Sequence, residues 1–350
     1  MYGILVLLGV VVVVFFLFNV LPGDPARLMM GQRADKSQLE IINRDLGLDK
    51  PVGMQFLLYL NDLSPISVHS PSDESSIFYL DSAKYDGTKL FSVGEDRVLL
   101  LKQPYLRRSY HTKRKVSELI WDALPETAVL ALASILLASL LGIFLGIIAA
   151  LHKGTWVDNF ALVFSAIGMS GPSFFVALII AWLFGFVWGD WTGLNTHGSL
   201  FDIDDFGNGE YLALKNLILP AFTLGIRPLA VVVQLTRSSM LDVMRTDYVR
   251  TARAKGLGYY SIVVKHALKN ALNPVITAIS GMFAGLMAGA VFIEWIFDWK
   301  GIGRELVNAL NKQDLPIVMG VVLFITTIFV LINIIVDLAY GFLDPRVRVQ

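Results

Sequence analysis

The sequence contains no cysteine. Disulfides, thiolate metal sites and cysteine nucleophiles are therefore excluded. Charge is scarce as well: 17% of the 350 residues are Asp, Glu, Lys or Arg, against about a quarter in soluble domains. Basic and acidic residues balance, 29 against 29, so no bulk field points to a nucleic-acid partner. No Gly-rich loop ending in Gly-Lys-Ser/Thr occurs, which argues against a Walker-type nucleotide site in this chain. His152, His197 and His266 lack metal-ligand spacing, and no Ser-His-Asp or paired-carboxylate pattern stands out. No catalytic residue and no metal site is assigned. The first apolar run follows directly on Met1, with no basic segment before it and no small-residue cleavage site after it, so a cleaved signal peptide is not expected. The missing Lys or Arg before that run leaves two readings: the start codon lies upstream, or later segments set the orientation.

What is abundant is apolar surface, with 55% of residues hydrophobic. The fold class this implies is an all-α polytopic membrane protein with six transmembrane helices. The first span covers residues 1–21, and Pro22, Gly23 and Pro25 stop it. An external connection of residues 22–126 follows. Its first part, 26–63, reads as short amphipathic helices. Within 64–102, short apolar runs at Ile77–Leu80, Lys89–Val93 and Arg97–Leu101 are separated by Asp86-Gly87 and Gly94-Glu95-Asp96. This reads as a small β-meander with Asp-Gly as a hairpin signal; the plain alternative is an irregular loop. A five-helix core spans 127–343. Its members are Thr127–Leu151, Asn159–Trp188, Asn216–Gln234, Ala271–Phe297 and Pro316–Leu343, and residues 344–350 form a tail. Asn159–Trp188 exceeds the roughly 20 residues of one straight span, and Gly168, Gly171 and Pro172 place a kink or break inside it. Gly281, Gly285 and Gly289 recur every fourth residue, a flat face that another helix can approach closely.

Between the fourth and fifth spans lies the most basic short segment, Ser238–Pro274. From Arg237 to Lys269 it carries seven basic residues. The Trp188–Lys215 connection carries one Lys against five acidic residues. The positive-inside rule then puts the basic segment in the cytoplasm, with both termini on that side. The Asp298–Asp314 connection, with three basic residues, is a mild exception. Met240, Met244, Tyr248 and Ala252 recur every four residues, as on one helix face. Gly256-Leu257-Gly258 interrupts, because glycine reaches positive φ without strain. A second short helix is expected over Tyr259–Asn270. Asn273-Pro274 reads as an N-cap followed by proline at the first position of the next span.

Here the sequence resembles a family. Arg250-Thr251-Ala252, three residues, Gly256, and then His266-Ala267-Leu268 resembles the EAA loop of ABC importer permeases. Arg250 and Thr251 stand where Glu and Ala are usual in the general pattern, and His266-Ala267-Leu268-Lys269 replaces its I-x-L-P. Those departures match the dipeptide/oligopeptide/nickel branch, and within it the first, "B-type" permease subunit. The Pro22-Gly23-Asp24-Pro25 exit of the first span and the Asp344-Pro345-Arg346 ending are similar to the same family, whereas residues 64–102 are not. The resemblance implies an inner-membrane permease forming half of a translocation path, chiefly for di- and oligopeptides, with nickel or another small solute as the alternative. It also implies partners: a second permease of the same fold, two ATP-binding subunits that hold ATP and magnesium, and an external substrate-binding protein. Coupling to the ATPases would fall to Arg250, Thr251, Ala252, Ala254, Lys255, Gly256, Leu257 and His266. The chain itself would be no enzyme and would hold no cofactor.

Three pathway or gate candidates come from the residues themselves. Arg227 sits near the middle of the fourth span, where a charge costs about 2.5–3.5 kcal/mol on insertion scales. It therefore lines a cavity as a pathway or gate residue, or pairs structurally with a carboxylate or carbonyls in the neighbouring subunit. Gly171 and Pro172 mark either close packing or a hinge. Glu294 is expected at the outer interface. An autonomous secondary transporter is the competing class, and it calls for intramembrane carboxylates and inverted broken helices. A membrane-embedded enzyme would need a polar cluster at one depth, and none is evident.

Overall fold

The computed structural model describes residues 2–17, 49–71, 76, 78–80, 84–85, 87–92, 96–203 and 209–343. The Pro22–Pro25 exit, the stretch to Leu48, Asp86, Gly94-Glu95 and the 344–350 tail lie outside the described residues.

The chain divides into two compact units, one of residues 1–122 and 308–326, the other of 123–307 and 327–350. In the first, α1 (Tyr2–Phe15) and α2 (Val52–Leu63) pack Val14, Phe15 and Tyr59 against Met319 and Leu323. Phe15 stacks edge-on to Phe56 with ring centroids 5.0 Å apart. A three-stranded antiparallel sheet follows, β1 (Ile66–His69), β2 (Gly87–Ser92) and β3 (Val98–Lys102), in the order β1-β3-β2. Ile66 faces Leu101, and Gly87 faces Lys102. Two expectations fail here. Ile77 lies outside the described residues, and Phe78–Leu80 is not a strand: Tyr79 makes only an isolated bridge to Ser70. The first strand is instead Ile66–His69, and Gly87 opens β2 rather than closing a hairpin. The reason lies in α2. The main-chain carbonyl of Asp62 accepts hydrogen bonds from Lys102 Nζ (2.5 Å) and from the Tyr105 amide (2.8 Å). The Tyr85 hydroxyl donates to the Asp62 carboxylate (2.5 Å). The sheet is thus tied to the end of α2, and the strand leaving that helix pairs with β3. Burial raises the Asp62 carboxyl above the usual range, against the Tyr85 hydrogen bond and the Arg107 and Lys102 charges. In the same unit, buried Asp314 accepts from the Ser109 hydroxyl (2.5 Å) and the Tyr110 amide (3.1 Å), which fixes the 107–115 segment.

The second unit is built of long apolar helices. They are α3 (Val116–Leu151), whose first turns belong to the first unit, α4 (Trp156–Ser170), α5 (Ser173–Ile180, continued as a π-helix through Val187) and α6 (Ile218–Val243). After α7 (Asp247–Ala254), a helix starts at Tyr259, passes through a π-helical stretch Ile262–Leu268 and becomes α8 (Lys269–Gly289). Then come α9 (Val291–Ile296), α10 (Ile302–Asn311) and α11 (Leu315–Leu343). Among the described residues four helices are long and apolar enough to cross a membrane, and α4 with α5 and its π-helical continuation, bent by 110° at their junction, makes a fifth if the pair counts as one span. The break falls at Gly171-Pro172, both in extended conformation.

The core gathers Leu130, Ile135, Leu219, Leu224, Ile293, Phe297 and Trp299. α3 and α6 meet through glycine: a Cβ built on Gly146 would lie 2.6 Å from the Thr236 Cβ. Two more expectations are corrected. Pro274 is inside the helix rather than at its start. Proline's missing N–H is tolerated in such spans when neighbours satisfy the freed carbonyl. Glu294 is not interfacial but fully buried. Its carboxylate accepts from the Gly303 (2.6 Å) and Arg304 (3.3 Å) amides at the start of α10, where a helix presents unsatisfied donors and positive partial charge.

Candidate functional site

The segment between α6 and α8 is a folded hook. α6 ends at Val243, and Thr246, in extended conformation, precedes α7. Asp247 opens α7 with the acidic residue that a helix N-terminus favours. The break at 244–246 means that Met240, Met244, Tyr248 and Ala252 do not share one helix, contrary to their spacing. Met240 packs with Val263, Ala267 and Ala271, while Ala252 packs with Val249 and Ile262. α7 closes on Gly256 at φ +76°. The Gly256 amide donates to the Arg253 carbonyl (2.9 Å) and the Leu257 amide to that of Ala252 (3.3 Å). A β-branched residue would be strained at that φ.

The hook buries a narrow apolar face and exposes the rest. Of the coupling candidates, Arg250, Thr251, Ala254, Lys255, Gly256 and Leu257 are exposed together on α7 and its C-terminal turn. Ala252 points the other way, 6% exposed in the hook's own core. His266 is half-buried on the π-helical stretch, its carbonyl accepting from the Tyr248 hydroxyl (3.4 Å). Asn270 Nδ2 donates to the same hydroxyl (2.8 Å), so Tyr248 ties α7 to the helix leading into α8. Sequence reasoning missed the aromatic tip. Tyr260 is 78% exposed and Tyr259 57%, directly after the glycine turn that ends α7. Two large apolar side chains left in solvent at the end of a basic loop are the signal that could have found them.

A second missed contact supports the hook from behind. Arg237, near the end of α6, makes a two-pronged ion pair with Asp158 of α4, Nη2 to Oδ2 at 2.8 Å and Nε to the other oxygen. The same carboxylate accepts from the Gly154 amide (2.9 Å). The connection between α3 and α4 is thereby tied to the α6 end that carries the hook.

Arg227 lies elsewhere on α6. It is exposed, and its Nη2 donates to the Gly171 carbonyl (3.0 Å). That carbonyl ends α4, where helix carbonyls lack intrahelical partners. The three pathway candidates are therefore brought together: Arg227, Gly171 and the break at Pro172 meet, and Arg227 and Gly171 line a cavity of about 190 Å³ with Ser173, Thr223 and Gly289. Among the described residues no group of His, Asp and Glu could hold a metal ion.

A bundle of long apolar helices with a bent helix pair and a basic connecting hook defines a polytopic membrane protein. Residues 142–349 match the family described as binding-protein-dependent transport system inner membrane component, and residues 1–73 match that family's N-terminal region. The chain is 33% identical to a dipeptide transport system permease protein, DppB, of Alkalihalophilus pseudofirmus, over 98% of this chain and 96% of that one. It is 37% identical to a di/tripeptide transport system permease protein, DppB, of Pseudomonas aeruginosa (98% and 95%). It is 36% identical to a probable D,D-dipeptide transport system permease protein, DdpB, of Escherichia coli (98% and 94%). The chain belongs to this permease family, in its dipeptide/oligopeptide branch, and is an integral inner-membrane protein.

Proposed function

We propose that this chain forms one half of the translocation path of an ATP-driven importer of di- and oligopeptides. The observation that carries the reading is the hook at 247–260, a hydrogen-bonded turn whose exposed surface combines Arg250, Arg253 and Lys255 with Leu257 and Tyr260. Cations around apolar anchors suit a protein interface. ATP and magnesium are held by two partner subunits, and this hook docks on one of them. A second permease of the same fold completes the path, and an external binding protein delivers the peptide. The relatives named for dipeptide and di/tripeptide transport support the substrate class.

The topology that goes with this reading has six spans. α1 supplies the first, the α4–α5 pair counts as one, and both termini are cytoplasmic. The seven basic residues around the hook support placing it inside, and the sheet in 64–102 then lies outside. Affinity purification of the chain from its native membrane tests the reading. An ATPase pair and a second permease are expected to come with it, and the reconstituted complex is expected to take up dipeptides only with binding protein and ATP. Dipeptide uptake by this chain alone would overturn it.

A further inference from the structure

The cavity at the break of the third span holds a charge without a counter-charge. The Arg227 guanidinium has five N–H donors, and the hydrogen bond to the Gly171 carbonyl uses one of them. Among the described residues no carboxylate lies within ion-pair distance of it. A cation near the middle of an apolar span is costly unless it meets a partner or water, and the bond to Gly171 holds this one at the cavity wall rather than letting it reach away. The rest of the wall is apolar or small: Val176, Gly285, Gly289 and Ile293, with the hydroxyl-bearing Ser173 and Thr223. The Thr223 hydroxyl is already committed to the Leu219 carbonyl (2.7 Å). At about 190 Å³ the space is smaller than the roughly 300–1,000 Å³ of whole-ligand pockets. It takes the end of a molecule, not all of one.

We propose that this cavity is a subsite for the C-terminal carboxylate of the peptide in transit, with Arg227 as its charge partner and Ser173 as a neutral donor. The proposal rests on the reading of the chain as a peptide permease. A planar guanidinium matches a carboxylate with two parallel hydrogen bonds, which a lysine cannot reproduce. Position adds to chemistry. The carbonyl that holds Arg227 belongs to the break between α4 and α5, so occupation of the guanidinium by substrate and the geometry of the break share one residue.

The cysteine-free sequence provides the test. A Cβ at Gly289 meets nothing within 4 Å, so Gly289→Cys places a thiol in the cavity wall with room for it. In the assembled complex, without binding protein, the rate of modification of that thiol is measured against added dialanine and dialanine amide. Dialanine is expected to slow modification and the amide is not. In an Arg227→Gln background about tenfold more dialanine is expected to be needed for the same protection, with Arg227→Lys in between. Equal protection by acid and amide, or protection unchanged by Arg227→Gln, would overturn the proposal. So would an Arg227→Gln complex that falls apart with no protection in either background, since the carboxylate would then come from the second permease. Dialanine uptake by the complex with the native sequence is the control. Uptake without protection sinks the subsite alone, whereas absence of uptake by the complex with the native sequence sinks the peptide reading.

Discussion

The two helices that flank the hook are of similar length but differ in what covers them. In the helical stretch ending with α6, 67% of the most apolar window is buried within the chain, against 22% for the stretch ending with α8. α6 is clasped by α3 and α4, with Gly146 letting α3 come close enough for Thr236 to touch it. α8 presents Gly281, Gly285 and Gly289, and a Cβ at any of the three meets nothing within 4 Å in this chain. One helix is therefore well covered within its unit, and the other leaves its glycine face open among the described residues. Between them the hook joins a well-covered helix to one with an open face, an arrangement in keeping with the proposed coupling role.

The largest effect that would sharpen this contrast comes from adding the same bulk to each side. Gly146→Leu drives a side chain into Thr236 and the Val233 carbonyl. Overpacking typically costs about 1–3 kcal/mol, and with backbone in the way the upper end is expected. At Gly281, outside the cavity wall, a Cβ meets nothing within 4 Å among the described residues, so Gly281→Leu is expected to insert and keep its thermal stability while losing association with a second permease. Thermal unfolding in detergent and co-purification separate the two outcomes. Equal loss of stability from both would erase the difference between the helices.

A smaller effect on folding, but a large one on work done, is expected at the hook. Gly256→Val forces a β-branched residue to φ +76°, a left-handed conformation that costs an L-residue roughly 1–2 kcal/mol. The turn is exposed, so insertion should survive. Stimulation of ATP hydrolysis by substrate-loaded binding protein is expected to be lost. Full stimulation by this variant would remove the hook from the coupling step.

The smallest effect concerns the sheet of the first unit. His69 is buried, and burial, then the Lys102 charge, depress its pKa below the ordinary histidine value. A depressed value means that its neutral form contributes stability above the unfolded pKa of about 6.5, lost as pH falls through the folded value. Asp62 works oppositely, since its raised value favours the folded state at low pH and that contribution fades as pH rises. Amide protection at Val68 and Leu100 is expected to fall between about pH 7 and about pH 5, and His69→Gln should flatten that fall. Protection unaffected by acid would show that His69 does not govern the sheet.

How much of this was legible follows from which forces act locally. The hook's turn could be read because only glycine serves at Gly256, and the break at Gly171-Pro172 because proline leaves a mark in any sequence. The helix stop at 244–246 was also written locally, in Thr246-Asp247, but the four-residue spacing of Met240 to Ala252 masked it. The strand at Ile66–His69 was not legible, because its partner and its anchor on Asp62 are set by tertiary contacts. Glu294 misled for the same reason: a carboxylate near a span's end looks interfacial until the α10 amides that it caps fold over it. Arg227 was visible as a charge out of place, yet its tie to Gly171, 56 residues away, exists only in three dimensions.

The coupling role of the hook can be tested most directly by placing a photo-crosslinking amino acid at Tyr260 and, separately, at Leu90 in the sheet. In the assembled complex the Tyr260 probe is expected to join this chain to an ATP-binding subunit, with a yield that changes when ATP is added, while the Leu90 probe never reaches that subunit. An ATP-binding subunit captured from Leu90, or a Tyr260 probe that captures none, would contradict it.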